Sequence, residues 1–143
     1  MNTLTRKLAT AGSALALAAS GLLFASSPAS AATSCYASSC QGLDPATTIC
    51  QNDARTVGTT SFYDVELRYS PTCRAAWARY PTFTPNRLII FVQRQDGNGT
   101  YSVHTSGSYA VWTSMVNDKD LLSRACGYVD YNSPSTAECT SWY

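Results

Sequence analysis

VELRYSPTCRAAWARYP, residues 65–81, places a Glu, three Arg, a Cys and a Trp within seventeen positions, and its periodicity decides the fold. Read as a helix, Cys73, Ala76, Trp77 and Tyr80 fall at i, i+3, i+4 and i+7, with Ser70 as cap and Pro71 at the first helical position. Read as two strands, the chain turns at Pro71-Thr72-Cys73-Arg74, so that Glu66 faces Arg79 and Arg68 faces Trp77. Val65, Leu67 and Tyr69 then oppose Tyr80, Ala78 and Ala76 on one face, while Glu66, Arg68, Trp77 and Arg79 share the other. The hairpin sorts every side chain and the helix sorts four, so the hairpin is the preferred reading. An opposed ion pair, at roughly 0.2–1 kcal/mol, and an arginine over an indole, at about 0.5–1 kcal/mol when exposed, account for the charged face as scaffold. The same four residues are also the candidate binding face.

Working outward, RLIIFVQRQ (87–95) and TYSVHT (100–105) flank Asp96-Gly97-Asn98-Gly99, residues that tolerate the positive φ of a tight hairpin. Leu88, Ile90 and Val92 face one way and Ile89, Phe91 and Gln93 the other, which predicts a strand that is central or covered on both faces. Further strands are predicted at AVWTSMV (110–116), at LLSRACGYVD (121–130) and near 55–60, with Asn117-Asp118-Lys119-Asp120 as a turn. Asp44-Pro45 opens one short helix that runs to about Cys50. The expected class is all-β: a small disulfide-stapled β-barrel or sandwich with a Cys-bearing N-terminal segment and at most one short helix.

Residues 1–31 read as a secretory signal peptide: Arg6 and Lys7 precede an Ala/Leu-rich stretch that ends in Ala29-Ser30-Ala31. Cleavage there leaves residues 32–143, with no membrane anchor, read as one domain: a Cys-containing segment over 32–54 and a β domain over 55–143. The expected location is secreted, with association to the cell wall as a variant. All six cysteines, Cys35, Cys40, Cys50, Cys73, Cys126 and Cys139, follow the cleavage box, so three disulfides are expected. Cys126 and Cys139 flank the turn-rich Asn132-Ser133-Pro134-Ser135 and are paired on that ground; the other four stay open. Only Cys35 and Cys40 have a spacing near that of metal ligands and the one histidine, His104, is remote, so no metal and no cofactor is expected.

Setting aside Arg6 and Lys7, ten basic residues become eight, against nine acidic ones. Seven of the eight are arginine, and no basic field of the kind nucleic acid requires is present.

CYASSCQGLDPATTIC (35–50), VELRYSPTCRAAWARY (65–80) and MVNDKDLLSRAC (115–126) resemble a YjfA-like family of small secreted or surface-displayed proteins of Gram-positive bacteria, frequent in actinobacteria. The resemblance implies a cysteine-bearing segment before a β domain, with Glu66, Leu67, Arg68, Tyr69, Trp77, Ala78 and Arg79 as its signature and no known activity. In some relatives the domain follows a cytoplasmic DNA-binding module, which this chain lacks.

Three functions compete. The first is a monomeric, non-catalytic extracellular binding domain that uses Glu66, Arg68, Trp77 and Arg79, or the terminal Trp142-Tyr143, toward an extracellular protein or cell-wall ligand. The second is a small hydrolase of ribonuclease type with Glu66 as base, His104 as acid and Arg68 or Arg79 on a phosphate, for which no local motif speaks. The third is a protease inhibitor presenting Thr72-Cys73-Arg74-Ala75. The first is preferred, and the chain is read as not an enzyme.

Overall fold

The computed structural model describes residues 31–143 apart from 84–86, 106, 108 and 132. The expected signal segment lies outside the described residues except for Ala31. Among the described residues nine strands form: β1 Arg55–Thr59, β2 Glu66–Ser70, β3 Ala75–Tyr80, β4 Leu88–Arg94, β5 Thr100–Thr105, β6 Val111–Trp112, β7 Val116–Asn117, β8 Ser123–Val129 and β9 Glu138–Cys139. The first sheet runs β1-β2-β3-β6, with β7 also on β3; the second runs β5-β4-β8-β9. All strand pairs are antiparallel.

The decisive stretch is the expected hairpin in the expected register: Glu66 opposite Arg79, Leu67 opposite Ala78, Arg68 opposite Trp77 and Tyr69 opposite Ala76. Ser70 caps the turn rather than a helix. Its Oγ accepts from the Cys73 amide at 3.1 Å, its carbonyl accepts from the Arg74 amide at 2.8 Å, and Arg74 takes up φ of 50° to close the loop.

Period-two alternation then builds the core. Leu67, Tyr69, Ala76, Ala78, Tyr80 and Val116 of the first sheet meet Leu88, Ile90, Val92 and Ala125 of the second, with Val65 among them. The sheets approach closely at Gly127, where a Cβ would stand 2.7 Å from Val65 Cγ2. A glycine there is a packing requirement.

Two expectations are modified. The short helix from Asp44 to Cys50 is two 3-10 turns, Pro45–Thr47 and Ile49–Asn52. Asp44 does cap the first, accepting from the Ala46 amide at 2.9 Å. Thr48 is extended, however, because it bridges Thr33, and its hydroxyl restarts the chain by accepting from the Cys50 amide at 3.3 Å. A further 3-10 turn, Ala37–Cys40, carried no sequence signal. The strand expected over 110–116 is split into β6 and β7, because Met115 pairs instead with the N-terminal segment: its amide donates to Leu43 O at 2.9 Å and its carbonyl accepts from Gly42 at 2.8 Å.

β4 is central, between β5 and β8, yet its outward residues Ile89 and Phe91 are only half-buried. The first sheet is the one covered on both faces.

Candidate functional site

Residues 33–54 lie across the outer face of the first sheet. Cys40, Cys50, Cys73, Ala75, Trp77 and Met115 form a second buried cluster there, joined by Leu43, Ile49 and Ala54. Cys35 pairs with Cys40 and Cys50 with Cys73, and the second of these ties the segment to the β2–β3 turn. Cys126 pairs with Cys139 between β8 and β9, as expected.

Two polar links reinforce the tie. Asp53 accepts from the Ser70 hydroxyl and, at 2.8 Å, from the Thr72 amide. Burial works to raise its pKa, and these hydrogen bonds outweigh that, so the carboxyl sits below its ordinary range. Arg68 donates Nη2 to Ala54 O at 2.7 Å and Nη1 to Thr56 Oγ1 at 2.9 Å.

The segment leaves part of the face uncovered. What remains is a groove of about 280 Å³ with Arg68, Trp77 and Arg79 contributed by the hairpin, Pro45, Ala46, Gln51 and Ala54 by the covering segment, and Trp112 by β6. Trp77 is 4% exposed and sits within the buried cluster; Trp112 is 38% exposed and forms a rim. The Trp112 indole is held in place, since Nε1 donates to Asp44 Oδ1 at 2.8 Å, and the Asp44 that caps the 3-10 turn thereby also orients a groove wall.

The charges are unevenly matched. Arg79 gives Nη1 to Glu66 Oε2 at 3.3 Å, with side chains 35% and 19% exposed, and its other N–H groups meet no protein acceptor among the described residues. Burial lowers the Arg68 pKa, Glu66 works against that and Arg79 adds to it, as expected of a second guanidinium nearby. Arg68 does not stack on Trp77 as the sequence reading supposed, because both of its terminal nitrogens are drawn across β1 and to Ala54 O. A cation–π contact is formed elsewhere, by Arg124 over Trp142 at 4.3 Å from the ring centroid.

Glu66, Arg68, Trp77 and Arg79 are thus brought together, and Pro45, Ala46, Gln51, Ala54 and Trp112 complete a site that sequence reasoning did not assemble. The hydrolase set is not brought together. His104 lies on the second sheet, 54% exposed, with Nδ1 3.7 Å from Asp130 Oδ1, in a depression shared with Ile89, Phe91 and Tyr128. Glu66 belongs to the first sheet. The inhibitor loop fares no better, since Cys73 and Ala75 are fully buried and Arg74 is engaged by Asp120 at 3.1 Å.

The four N-terminal sulfurs converge despite their spacing, all within 4.8 Å of one another. They are taken up in the two disulfides. At the far end of the first sheet, Asp118 is 5% exposed beside a depression lined by Tyr69, Arg74 and Tyr143. Burial pushes its carboxyl up to about 6, against the nearby Ser123 hydroxyl and the charges of Arg74 and Arg94.

The family model for DUF2690, a protein family of unknown function, matches residues 38–126, from the first 3-10 turn through β8. The chain belongs to that family. The DUF2690 match spans the hairpin, both N-terminal disulfides apart from Cys35, and every residue of the groove. No curated protein and no solved structure matches the chain.

Proposed function

We propose that this DUF2690 protein is a secreted, non-catalytic binding domain, monomeric and cofactor-free, that engages an extracellular protein or a cell-wall component through the groove of Arg68, Trp77, Arg79 and Trp112. The observation that carries this reading is the groove itself: two guanidiniums and two indoles, residue types favoured at binding hot spots, held under a disulfide-tied cover. Disulfide pairing of all six cysteines favours an oxidising compartment, and no helix among the described residues is long and apolar enough to cross a membrane. The YjfA-like, Gram-positive reading and the export of one domain over 32–143 after removal of a signal over 1–31 belong to the same proposal.

Catalysis is disfavoured because the general-base and general-acid candidates stand on different sheets. The test is capture from secreted extract and from isolated cell wall by the mature protein. Arg79→Ala and Trp112→Ala should lose what the native protein retains, and His104→Ala should keep it. Capture that survives both groove substitutions, in proteins of unchanged Tm, removes the groove from the function.

A further inference from the structure

Resting on the groove as the binding site, the ligand's chemistry follows from what lines it. The volume of about 280 Å³ is at the lower edge of small-molecule sites, which run from ~300 to ~1,000 Å³, so one ring with a substituent fits and a helix or a folded surface does not. Among the described residues, the ionic groups on the lining are Arg68 and Arg79, both cationic. Glu66 takes a single nitrogen of Arg79, and the Asp44 carboxylate is engaged by the Trp112 indole, so among the described residues the remaining donors of Arg79 meet no acceptor in a half-buried setting. Half-burial strengthens a charge-assisted, forked contact to a carboxylate or phosphate.

The walls specify the rest of the molecule. Trp112 presents a part-exposed indole whose orientation is fixed by Asp44, and Pro45 and Ala46 continue the apolar wall. Gln51 turns its amide nitrogen to Ala46 O at 2.9 Å, which leaves Oε1 as an acceptor at the groove wall. A ring with C–H faces for the indole, a hydroxyl for Gln51 and an anionic substituent for Arg79 satisfies all three. A flat aromatic anion leaves the Gln51 acceptor unmet, and a neutral sugar leaves the Arg79 guanidinium unmet.

We infer that the groove takes an anionic sugar residue: a single pyranose-sized ring bearing a carboxylate or a phosphate, stacked on Trp112 with its charge on Arg79. Uronic-acid polymers and phosphate-linked glycans both present this chemistry outside cells.

The mature protein with its disulfides intact is titrated with glucuronate, glucose 6-phosphate, glucose, inorganic phosphate and benzoate, following the indole N–H resonances of Trp77 and Trp112. At least one anionic sugar should shift both resonances and bind about tenfold or more tightly than glucose, phosphate or benzoate, and which of the two binds identifies the source. Arg79→Gln and Trp112→Leu should each weaken it by a similar factor with Tm little changed. Glu66→Gln keeps an acceptor for Arg79 while removing the competing charge, and should tighten binding severalfold; a merely structural role for Glu66 has no route to that gain.

The inference is overturned if glucose binds as well as glucuronate, if phosphate alone or benzoate binds as well as the anionic sugars, or if Glu66→Gln weakens binding as Arg79→Gln does. It also falls if no sugar binds while groove-dependent capture from extract persists, and that result leaves the binding role standing. Loss of both results removes the groove altogether.

Discussion

The outer faces of the two sheets are written in the same alternating pattern and meet different fates. On the first sheet, Trp77 and Ala75 point outward from β3 and are buried, because a segment stapled by Cys50–Cys73 lies over them. On the second, Ile89, Phe91 and His104 point outward and stay half-exposed or exposed, and Phe91 meets the Tyr128 ring at 6.1 Å between centroids. A fully covered face gives a ligand no access, and the second sheet's outer face keeps an open depression around His104, with Ile89, Phe91 and Tyr128 on its lining. The first sheet's outer face is covered in part, and its edge is the groove.

The comparison is broken most sharply by truncating one aromatic on each outer face. Trp77→Ala should cost about 3–5 kcal/mol, the price of a large buried side chain, and Phe91→Ala less, about 1–3 kcal/mol, since part of its surface is already in water. Chemical denaturation of the two variants reads this directly; equal losses would mean that the second sheet's outer face is covered too.

Removing the staple is next in size. Cys50→Ala with Cys73→Ala should destabilise by about 2–4 kcal/mol and abolish capture through the groove, because four of its lining residues ride on the covering segment. The inter-sheet contact shared by both halves is sharpened by Gly127→Ala, which drives a methyl against the β-branched Val65 and should cost about 1–3 kcal/mol. A Tm no lower than native would show that the sheets separate freely at that point.

Asp118 gives a pH dependence. Its folded-state pKa of about 6 exceeds the ordinary 3.8, so the folded chain holds a proton that the unfolded chain releases. Stability from this group is therefore present below about pH 4 and lost as pH rises to about 6, by up to ~3 kcal/mol. Asp118→Asn should accordingly raise stability at pH 7 by about 1–3 kcal/mol and change it little at pH 4; denaturation curves at the two pH values decide it. The smallest effect is at Glu66, where Glu66→Ala should move Tm by less than about 1 kcal/mol's worth, as a part-exposed ion pair does.

The hairpin was legible because a period of two leaves a turn at Pro71–Arg74 only one register that separates Leu67 and Tyr69 from Glu66 and Arg68. The Cys126–Cys139 pair was legible because the two are close in sequence and flank a turn. The groove's second wall was not. It depends on which of four cysteines meet, and spacing does not encode that. Nor did the sequence announce Trp112, since the strand meant to carry it breaks where Met115 leaves to pair with Leu43 and Gly42. Asp44, legible in the sequence as a cap, also accepts through the same Oδ1 from an indole 68 positions away, a pairing that only the folded chain brings about.

The convergence of four sulfurs bears on how the crosslinks are to be mapped. Cys40, Cys50 and Cys73 are fully buried while Cys35 is half-buried, so an outside thiol meets Cys35 first and releases Cys40 as thiolate. Cys40 Sγ lies 3.9 Å from Cys50 Sγ, within reach of exchange that frees Cys73, and Cys73 can then displace the outside thiol from Cys35. The thiol is returned and the chain is left with its partners swapped. Peptide maps prepared at alkaline pH with traces of thiol should therefore report scrambled pairs among these four and a constant Cys126–Cys139, and only samples trapped in acid will record the bonds the protein was made with.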